Sequence, residues 1–477
     1  MESNPIFDLF ENVQVGFLVD SSKAFVGDIR LDSSHFVDDS NIILSKNIQF
    51  TTLSNFIDDV EEPKLFTRIY CDKKFGVPYI SSSEMSEIEP PVNSRFISKT
   101  LTNNIQQYII KRGQILVSAA GTVGSIVLAT KELNGVAGTS DILRINVDEE
   151  TNLGFVFTYL TSSFGANELA NLAYGAIIKR VRGFQLAQLK IPIIDNKNKL
   201  KMNKLVLAAL ECRDDANKLI KEARSLVLRY NKLPLISLEE VEKTNSNKTF
   251  EYRLASTSEF THDYRLDSHF YSDIYRNAND SIRTHANNIK PLSKITTNIF
   301  MGYRFNRNFV DSENGIPYIG TKNTLQIKPT ELKYLSRNET AKLNELVLER
   351  SWILLARSGS LGGTFGKTSF VWKNFEGYAG SDHIIRVCVN ETETDPAYLY
   401  CYLSSIYGYL LITQLRHGAL IDEIDPEDLG NILVPLPSDK QQKHIGDLVR
   451  QAHDLRAEAI HLEDEAQILL TQELTKK

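Results

Sequence analysis

Gln114-Ile115-Leu116-Val117-Ser118-Ala119-Ala120-Gly121-Thr122-Val123-Gly124 returns later in the chain as Trp352-Ile353-Leu354-Leu355-Ala356-Arg357-Ser358-Gly359-Ser360-Leu361-Gly362. The two stretches begin at 114 and 352, an offset of 238. Working outward from this pair, further blocks recur in the same order. Arg30-Leu31-Asp32-Ser33-Ser34-His35-Phe36 matches Arg265-Leu266-Asp267-Ser268-His269-Phe270, and Gly76-Val77-Pro78-Tyr79-Ile80 matches Gly315-Ile316-Pro317-Tyr318-Ile319. Ala137-Gly138 and Ile142-Leu143-Arg144 match Ala379-Gly380 and Ile384-Ile385-Arg386, both at an offset of 242 (379 − 137). Tyr159-Leu160, Gly175-Ala176-Ile177-Ile178 and Pro192 match Tyr402-Leu403, Gly418-Ala419-Leu420-Ile421 and Pro435, all at 243 (435 − 192). Chance does not keep the order while the offset drifts by a few residues. The chain is a tandem duplication of one large unit, not a short solenoid repeat.

Each unit opens near Val13 or Thr249, where Val15, Phe17 and Val19, and Phe250, Tyr252 and Leu254, alternate as a strand does. Inside a unit, Ile-Leu-Val runs bounded by Gly and Ser predict strands with tight turns. Residues 155–172 and 397–415 carry apolar side chains at helical spacing. The fold class expected is α+β, as two repeated globular domains.

Composition bounds the rest. The chain has 477 residues, and one hydrophobic core rarely grows past ~250–300 residues, so at least two domains are expected. With 42% apolar and 24% charged residues the chain is ordinarily globular. No apolar run reaches the ~18–20 residues of a membrane span, and Met1 to Gln14 has neither a basic nor an apolar signal region, so a cytoplasmic setting is expected. Cys71, Cys212, Cys388 and Cys401 are far apart and form no C-x-x-C pair, which speaks against a structural zinc site and a disulfide scaffold. A net charge of −6 argues against a generic nucleic-acid coat, though not against a local basic face.

Each unit closes on a proline-bearing strand, Lys190-Ile191-Pro192-Ile193 or Val434-Pro435-Leu436-Pro437, and a heptad pattern follows. In the first, apolar residues fall at Leu205, Ala209, Cys212, Ala216, Leu219, Ala223, Leu226, Tyr230 and Leu233; in the second, at Ile445, Leu448, Ala452, Leu455, Ala459, Leu462, Ala466 and Leu469. Spacings alternating 4 and 3 predict a coiled-coil seam, with Leu205, Leu219, Leu226, Leu448, Leu455 and Leu462 at its interface. Residues 197–232 hold ten Lys/Arg against four Asp/Glu, and 438–477 six against eight, so opposite bias favours pairing of the two helices with each other. The competing reading packs each helix on its own domain. From Leu205 to Leu233 the rod would be ~42 Å long.

Several fragments imitate catalytic motifs. Gly362 to Thr368 resembles a phosphate-binding loop, but G-x-x-x-x-G-K-[ST] needs Gly at 361, where Leu361 stands, and Ser369-Phe370-Val371-Trp372 reads as a strand, not a helix. Asp395-Pro396-Ala397-Tyr398 and Asn4-Pro5-Ile6-Phe7 imitate an amino-methyltransferase motif without its second proline, and no glycine-rich AdoMet loop precedes them. Asp395 and Pro396 fit a helix N-cap and first turn equally well. No histidine pair has metal spacing.

Basic residues offer a nucleic-acid reading. Residues 281–380 hold fourteen Lys/Arg and seven acids, with Tyr303, Tyr318 and Tyr334 interleaved. Gly302-Tyr303-Arg304-Phe305-Asn306-Arg307 is the densest loop-like candidate. Such a patch can neutralise phosphates while polar side chains reach base edges; a merely solvated basic surface is the alternative. In the first unit the cluster is Lys179-Arg180-x-Arg182, whose counterparts are Asp422, Glu423 and Asp425. No shared phosphate contact is expected there. The same frame with different loop chemistry suits two readers of different sequences.

These features together resemble the specificity subunit of Type I restriction–modification systems. The resemblance rests on Gly113 to Gly124, Ser351 to Gly362, Leu189-x-Ile191-Pro192, and Leu433-Val434-Pro435-Leu436-Pro437 with Gln441-Gln442-x-x-Ile445, and it covers nearly the whole chain. The first unit departs from the family at Ser118-Ala119-Ala120-Gly121, where the second has Arg357 before Ser-Gly. It implies a target recognition domain at 1–196, a central spacer helix at 197–235, a second recognition domain at 236–437 with a linker at 236–248, and a C-terminal spacer helix at 438–477. The helices would form an antiparallel coiled coil. It implies a non-catalytic subunit that reads a split, asymmetric site in double-stranded DNA. Two adenine methyltransferase subunits would dock on it, and a restriction/translocase subunit can join. AdoMet, ATP and Mg are then expected only in the partners. DNA contacts are expected from Arg304, Arg307, Lys322, Asn323, Arg357 and Ser358 in the second domain, and from Ser118, Thr122, Lys179, Arg180 and Arg182 in the first. The alternatives are a nucleotide-binding enzyme using 362–368, and a coiled-coil adaptor of a defence complex without DNA readout.

Overall fold

The structure is a computed structural model that describes residues 48–90, 95–120, 124–148, 151–174, 179–236, 265, 267–329, 332–418 and 420–475. The expected opening strands at 15–19 and 250–254, the Arg30–Phe36 block, Gly175–Ile178, most of the 236–248 linker and Thr122 lie outside the described residues.

The first domain runs through β1 (Phe50–Thr52), β2 (Asp59–Glu61), β3 (Gly76–Ile80), β4 (Phe96–Ser98), β5 (Ile115–Ser118), β6 (Ile126–Leu128), β7 (Ala137–Gly138), β8 (Ile142–Asn146), α1 (Leu153–Thr161), α2 (Ser163–Leu172), α3 (Gly183–Ala187) and β9 (Lys190–Pro192). After the long helix α4 (Asn196–Tyr230), the second runs through α5 (Asp273–His285), β10 (Ile289–Pro291), β11 (Thr296–Met301), β12 (Phe309–Val310), β13 (Gly315–Ile319), β14 (Lys333–Ser336), β15 (Ile353–Ala356), β16 (Ser358–Gly359), β17 (Thr368–Phe370), β18 (Ala379–Gly380), β19 (Ile384–Val389), α6 (Pro396–Leu403), α7 (Ile406–Gln414), β20 (Asp422–Glu423), α8 (Pro426–Leu429) and β21 (Leu433–Pro435). The helix α9 (Asp439–Thr475) ends the described chain.

The duplication seen in sequence is a duplication of topology. Sheets β2-β8-β5-β6 and β11-β19-β15-β17 have the same order, as do β4-β3-β7 and the β14-β13-β18 part of its counterpart. Register repeats too: Leu116 faces Arg144 and Leu354 faces Arg386. The helical stretch at 155–172 is two helices, because the Ser162 hydroxyl accepts from Gly165 N and caps a new start, as Ser405 does for Gly408. Both glycines are needed: a Cβ on Gly165 would lie 2.1 Å from Tyr159 O, and one on Gly408 2.4 Å from Leu403.

The long helices α4 and α9 pair antiparallel. Asn198 bonds Glu473 (2.8 Å), Arg213 pairs with Glu463, and Tyr230 Oη lies 2.9 Å from His444 Nδ1, so one number rises as the other falls. The buried stripe keeps heptad spacing but differs in phase from the expected one. Met202, Val206, Ala209, Arg213, Ala216, Ile220, Ala223 and Val227 are buried on α4, and Ile445, Val449, Ala452, Arg456, Ala459, Glu463, Ala466 and Leu470 on α9. The alanines are the expected ones, and their small side chains let the helices close. Of the six leucines expected at the interface only Leu226 is buried; Leu205, Leu219, Leu448, Leu455 and Leu462 are half-buried flanks. The reason is chemical: Arg213, Arg456 and Glu463 occupy true seam positions, so an apolar stripe drawn from sequence slides one residue onto the neighbouring leucines. Leu233 falls beyond the helix, which ends at Tyr230. Each helix also packs on its own domain: Asn203 Oδ1 accepts from Gly154 N of α1 (2.6 Å), and Arg450 of α9 forks onto Asp395 at 3.0 Å through both terminal nitrogens.

The domains also touch directly, through equivalent loops. Tyr79 and Tyr318 set an offset of 239 here (318 − 79), which makes Glu87 the counterpart of Gln326. These two residues face each other in an antiparallel bridge: Ile88 N donates to Leu325 O (2.7 Å) and Ile327 N to Ser86 O (2.9 Å). A residue facing its own counterpart marks a pseudo-two-fold axis. The central alanines Ala216 and Ala459 are likewise counterparts (459 − 216 = 243), each fully buried in the helix pair.

Charge then breaks the symmetry. Glu89 enters between the long helices, 2.6 Å from Arg224 and 3.1 Å from Arg456. Burial alone would raise its pKa, but the two guanidiniums hold it down to about 2. Its counterpart Lys328 pairs instead with Asp464. No helix among the described residues is long and apolar enough to cross a membrane.

Candidate nucleic-acid interface

The side chains just before β3 and β13 form one arrangement twice. Extending the Gly-x-Pro-Tyr-Ile repeat upstream at the same offset aligns Phe66 with Phe305, Arg68 with Arg307, and Tyr70 with Phe309. In the first domain Phe66 meets the Tyr79 ring edge-on at 6.3 Å, Tyr70 lies 6.3 Å from it, and Arg68 stands over it at 5.8 Å. In the second, Phe305 meets Tyr318 edge-on at 6.4 Å, Phe309 lies at 5.8 Å, and Arg307 stands over Tyr318 at 5.9 Å. A further cation follows β3 and β13 in each: Arg95 over Tyr79 at 5.6 Å, and Lys333 over Phe309 at 4.9 Å.

The central tyrosine of each set is packed against the domain, and the outer ring is exposed. Tyr79 is buried with Val77, Ile97 and Tyr108, while Tyr70 is 51% exposed and Phe309 42%. Arg68 and Arg307 are both exposed. Leu65 and Phe75 add exposed apolar surface in the same stretch of chain, with Lys74 4.7 Å above the Phe75 ring. Each face thus holds an exposed guanidinium over a packed tyrosine ring, with exposed aromatic surface beside it at Tyr70 or Phe309.

Buried arginines brace this face from behind. Arg386 is fully buried and donates to Ser381 O (2.9 Å), Ile384 O (2.6 Å) and Gly380 O (2.6 Å), and burial pushes its pKa down to about 10. The loop it grips carries Asp382, which holds Arg307 at 2.7 Å. Its counterpart Arg144 reaches Gln107 O and Ile109 O and lies 3.0 Å from Glu61.

The residues expected from sequence divide. Arg304, Arg307, Lys322 and Lys179 are exposed. Arg180 and Arg182 are exposed but paired, with Asp141 at 3.6 Å and Glu62 at 2.6 Å; Arg182 also stands at the N-cap of α3. Arg357 is half-buried and lies 3.2 Å from Glu423, on the strand that Ser358 pairs with. Two expectations need correction. Ser118 is buried, its hydroxyl donating to Ala120 O (3.1 Å), because the strand it ends lies inside the sheet. Asn323 spends its amide within its own turn, on Gly320 N and Gln326 Oε1, both at 3.0 Å. Sequence reasoning missed Arg68 and Phe66, although the repeat alignment held the signal.

The catalytic look-alikes have structural uses. Lys367 of the near-phosphate loop lies 2.6 Å from Glu87 of the other domain, and strand β17 follows the loop. Burial pushes the Glu87 carboxyl up in spite of that lysine. Asp395 caps α6, accepting from Ala397 N and Tyr398 N, with Pro396 in the first turn.

Comparison with known proteins agrees with the duplication. The chain belongs to the family described as Type I restriction modification DNA specificity domain, whose model matches residues 48–223 and again 290–468. Among solved structures, the S subunit of a Type-I restriction-modification system from M. genitalium is 18% identical, with a TM-score of 0.33, 91% of this chain and 99% of that chain being covered. The HsdS subunit from Thermoanaerobacter tengcongensis is 13% identical with a TM-score of 0.27, covering 92% of this chain and 99% of that one. No curated protein sequence matches the chain.

Proposed function

We propose that this chain is the DNA-reading, non-catalytic subunit of a Type I restriction–modification complex in the cytoplasm. Each domain reads one half of a split duplex site. The observation that carries this reading is a family domain present twice about a pseudo-two-fold axis, with the same aromatic–arginine face in both copies and unlike loops around it. A two-fold relation presents the copies to the duplex in inverted orientation, and unlike loops make the two half-sites different. Two methyltransferase subunits dock equivalently on the two halves, and a restriction/translocase subunit joins them. AdoMet, ATP and Mg belong to those partners. The use of Lys367 in an inter-domain ion pair supports this reading over a nucleotide-binding enzyme.

The test is a methylation map of a host expressing the chain with its partner subunits. The expected result is one adenine-methylated motif in two unlike halves around a fixed gap. A continuous motif, a palindrome, or a map unchanged by the chain contradicts the proposal.

A further inference from the structure

We infer that Arg68 and Arg307 form one duplicated anchor that grips the sugar-phosphate backbone of double-stranded DNA independently of sequence, at equivalent places in the two half-sites. The inference rests on the DNA-reading proposal above and adds which contacts are common to both domains.

Three observations carry it. First, a pair of domains that read different sequences has no reason to repeat a base-reading residue, yet Phe66, Arg68 and Tyr79 return as Phe305, Arg307 and Tyr318 with nearly the same ring geometry. Phosphates, unlike bases, are the same in every half-site. Second, a guanidinium laid over an aromatic ring is held in direction, while the N–H groups it does not spend on a neighbouring acid can form the two-oxygen fork that phosphate offers. Third, the arginines belong to segments leading into β3 and β13, the strands whose following loops meet at the pseudo-two-fold axis. The axis therefore relates the two anchors, and each meets the strand of opposite polarity.

The copies differ in one way. Asp382 holds Arg307 at 2.7 Å, whereas Ser140 stands at the equivalent place in the first domain (382 − 242 = 140). Arg307 is therefore partly neutralised, whereas no acid among the described residues holds Arg68, so the first domain carries the stronger anchor.

The experiment measures binding of the full chain, with its methyltransferase subunits, to the mapped target duplex and to a random-sequence duplex, from ~50 to ~200 mM salt. Each lost phosphate contact should remove about one unit from the slope of log affinity against log salt, which is a ~3-fold smaller loss of affinity over that range. Arg68→Ala with Arg307→Ala should weaken both duplexes alike and flatten the slope by about two units, leaving the preference for the target unchanged. Arg68→Lys with Arg307→Lys should keep the slope and lose part of the affinity. Asp382→Ser, which removes no DNA-facing cation, should tighten binding to both duplexes. Relaxed specificity at one base position with an unchanged slope would make the arginines base readers and overturn the inference. An unchanged double-alanine variant overturns it as well. If the wild-type complex binds neither duplex, the DNA-reading proposal fails first and the anchor with it.

Discussion

His453 shows how far one side chain can depart from its repeat counterpart. It is buried in α9 against Phe370 and Tyr400, at 5.4 and 5.5 Å, where α4 has the buried Leu210 (453 − 243 = 210). Its Nε2 has no hydrogen-bond partner among the described residues. Burial, with Arg456 nearby, pushes the imidazole down to about 3. The unfolded chain takes up this proton near its ordinary value of 6.5, well before the folded one does. Stability is therefore complete above that pH and is lost as pH falls, by at most ~1.4 kcal/mol per unit for one proton. His269, pushed down by burial to about 4, acts in the same direction. Thermal unfolding followed from pH 7 to pH 5 should show a falling midpoint, and His453→Leu should make that fall shallower. An equal or steeper fall in the variant would place the acid sensitivity elsewhere. Individual contacts were unevenly legible in sequence. Arg68 could be found by aligning the repeats, because Phe-x-Arg keeps its distance from Gly-x-Pro-Tyr-Ile. The burial of Ser118 could not, because a serine at the edge of a glycine turn and one at the end of a central strand have the same local sequence.

The helix pair was legible in period and blurred in phase. Alanine every seventh residue on both helices fixes where they approach most closely, and Ala216 and Ala459 are fully buried there. The other seam position alternates apolar residues with Arg213, Arg456 and Glu463, which no hydrophobic pattern would choose. Those charges satisfy each other or reach Glu89. Both competing readings of the helices hold at once: they pair with each other, and each also packs on its domain. Replacing Ala459 by Leu puts three carbons into a closed contact and should cost about 1–3 kcal/mol by overpacking. Chemical denaturation of the full chain checks this, and Ile468→Leu on the 57% exposed outer face of α9 is the neutral control. Equal midpoints for the two variants would mean the helices do not close at the alanines.

At the level of the molecule, the domain order and the duplicated topology follow from the repeat, but the contact between the domains does not. Sequence spacing gave the helices as the sole ruler between two recognition domains. The structure adds a second tie, the Glu87–Gln326 bridge with Ile88 and Ile327 donating across it and Lys367 on Glu87. Non-local pairings of this kind carry no periodic signal, and the segment around Glu87 reads in sequence like any solvated acidic loop. The rod is also longer than the heptad count implied, since 35 residues at ~1.5 Å rise give ~52 Å. Helix pair and bridge together fix how far apart the two aromatic–arginine faces stand.

The most direct measurement is a methylation map from a chain lengthened by one heptad in both α4 and α9, at Ala216 and Ala459. This keeps the helices in register, moves the domains apart by ~10.5 Å and breaks the bridge at Glu87. Both half-sites should be unchanged and the unread gap wider by about three base pairs, at ~3.4 Å each. Methylation of the original motif with its original gap would contradict this.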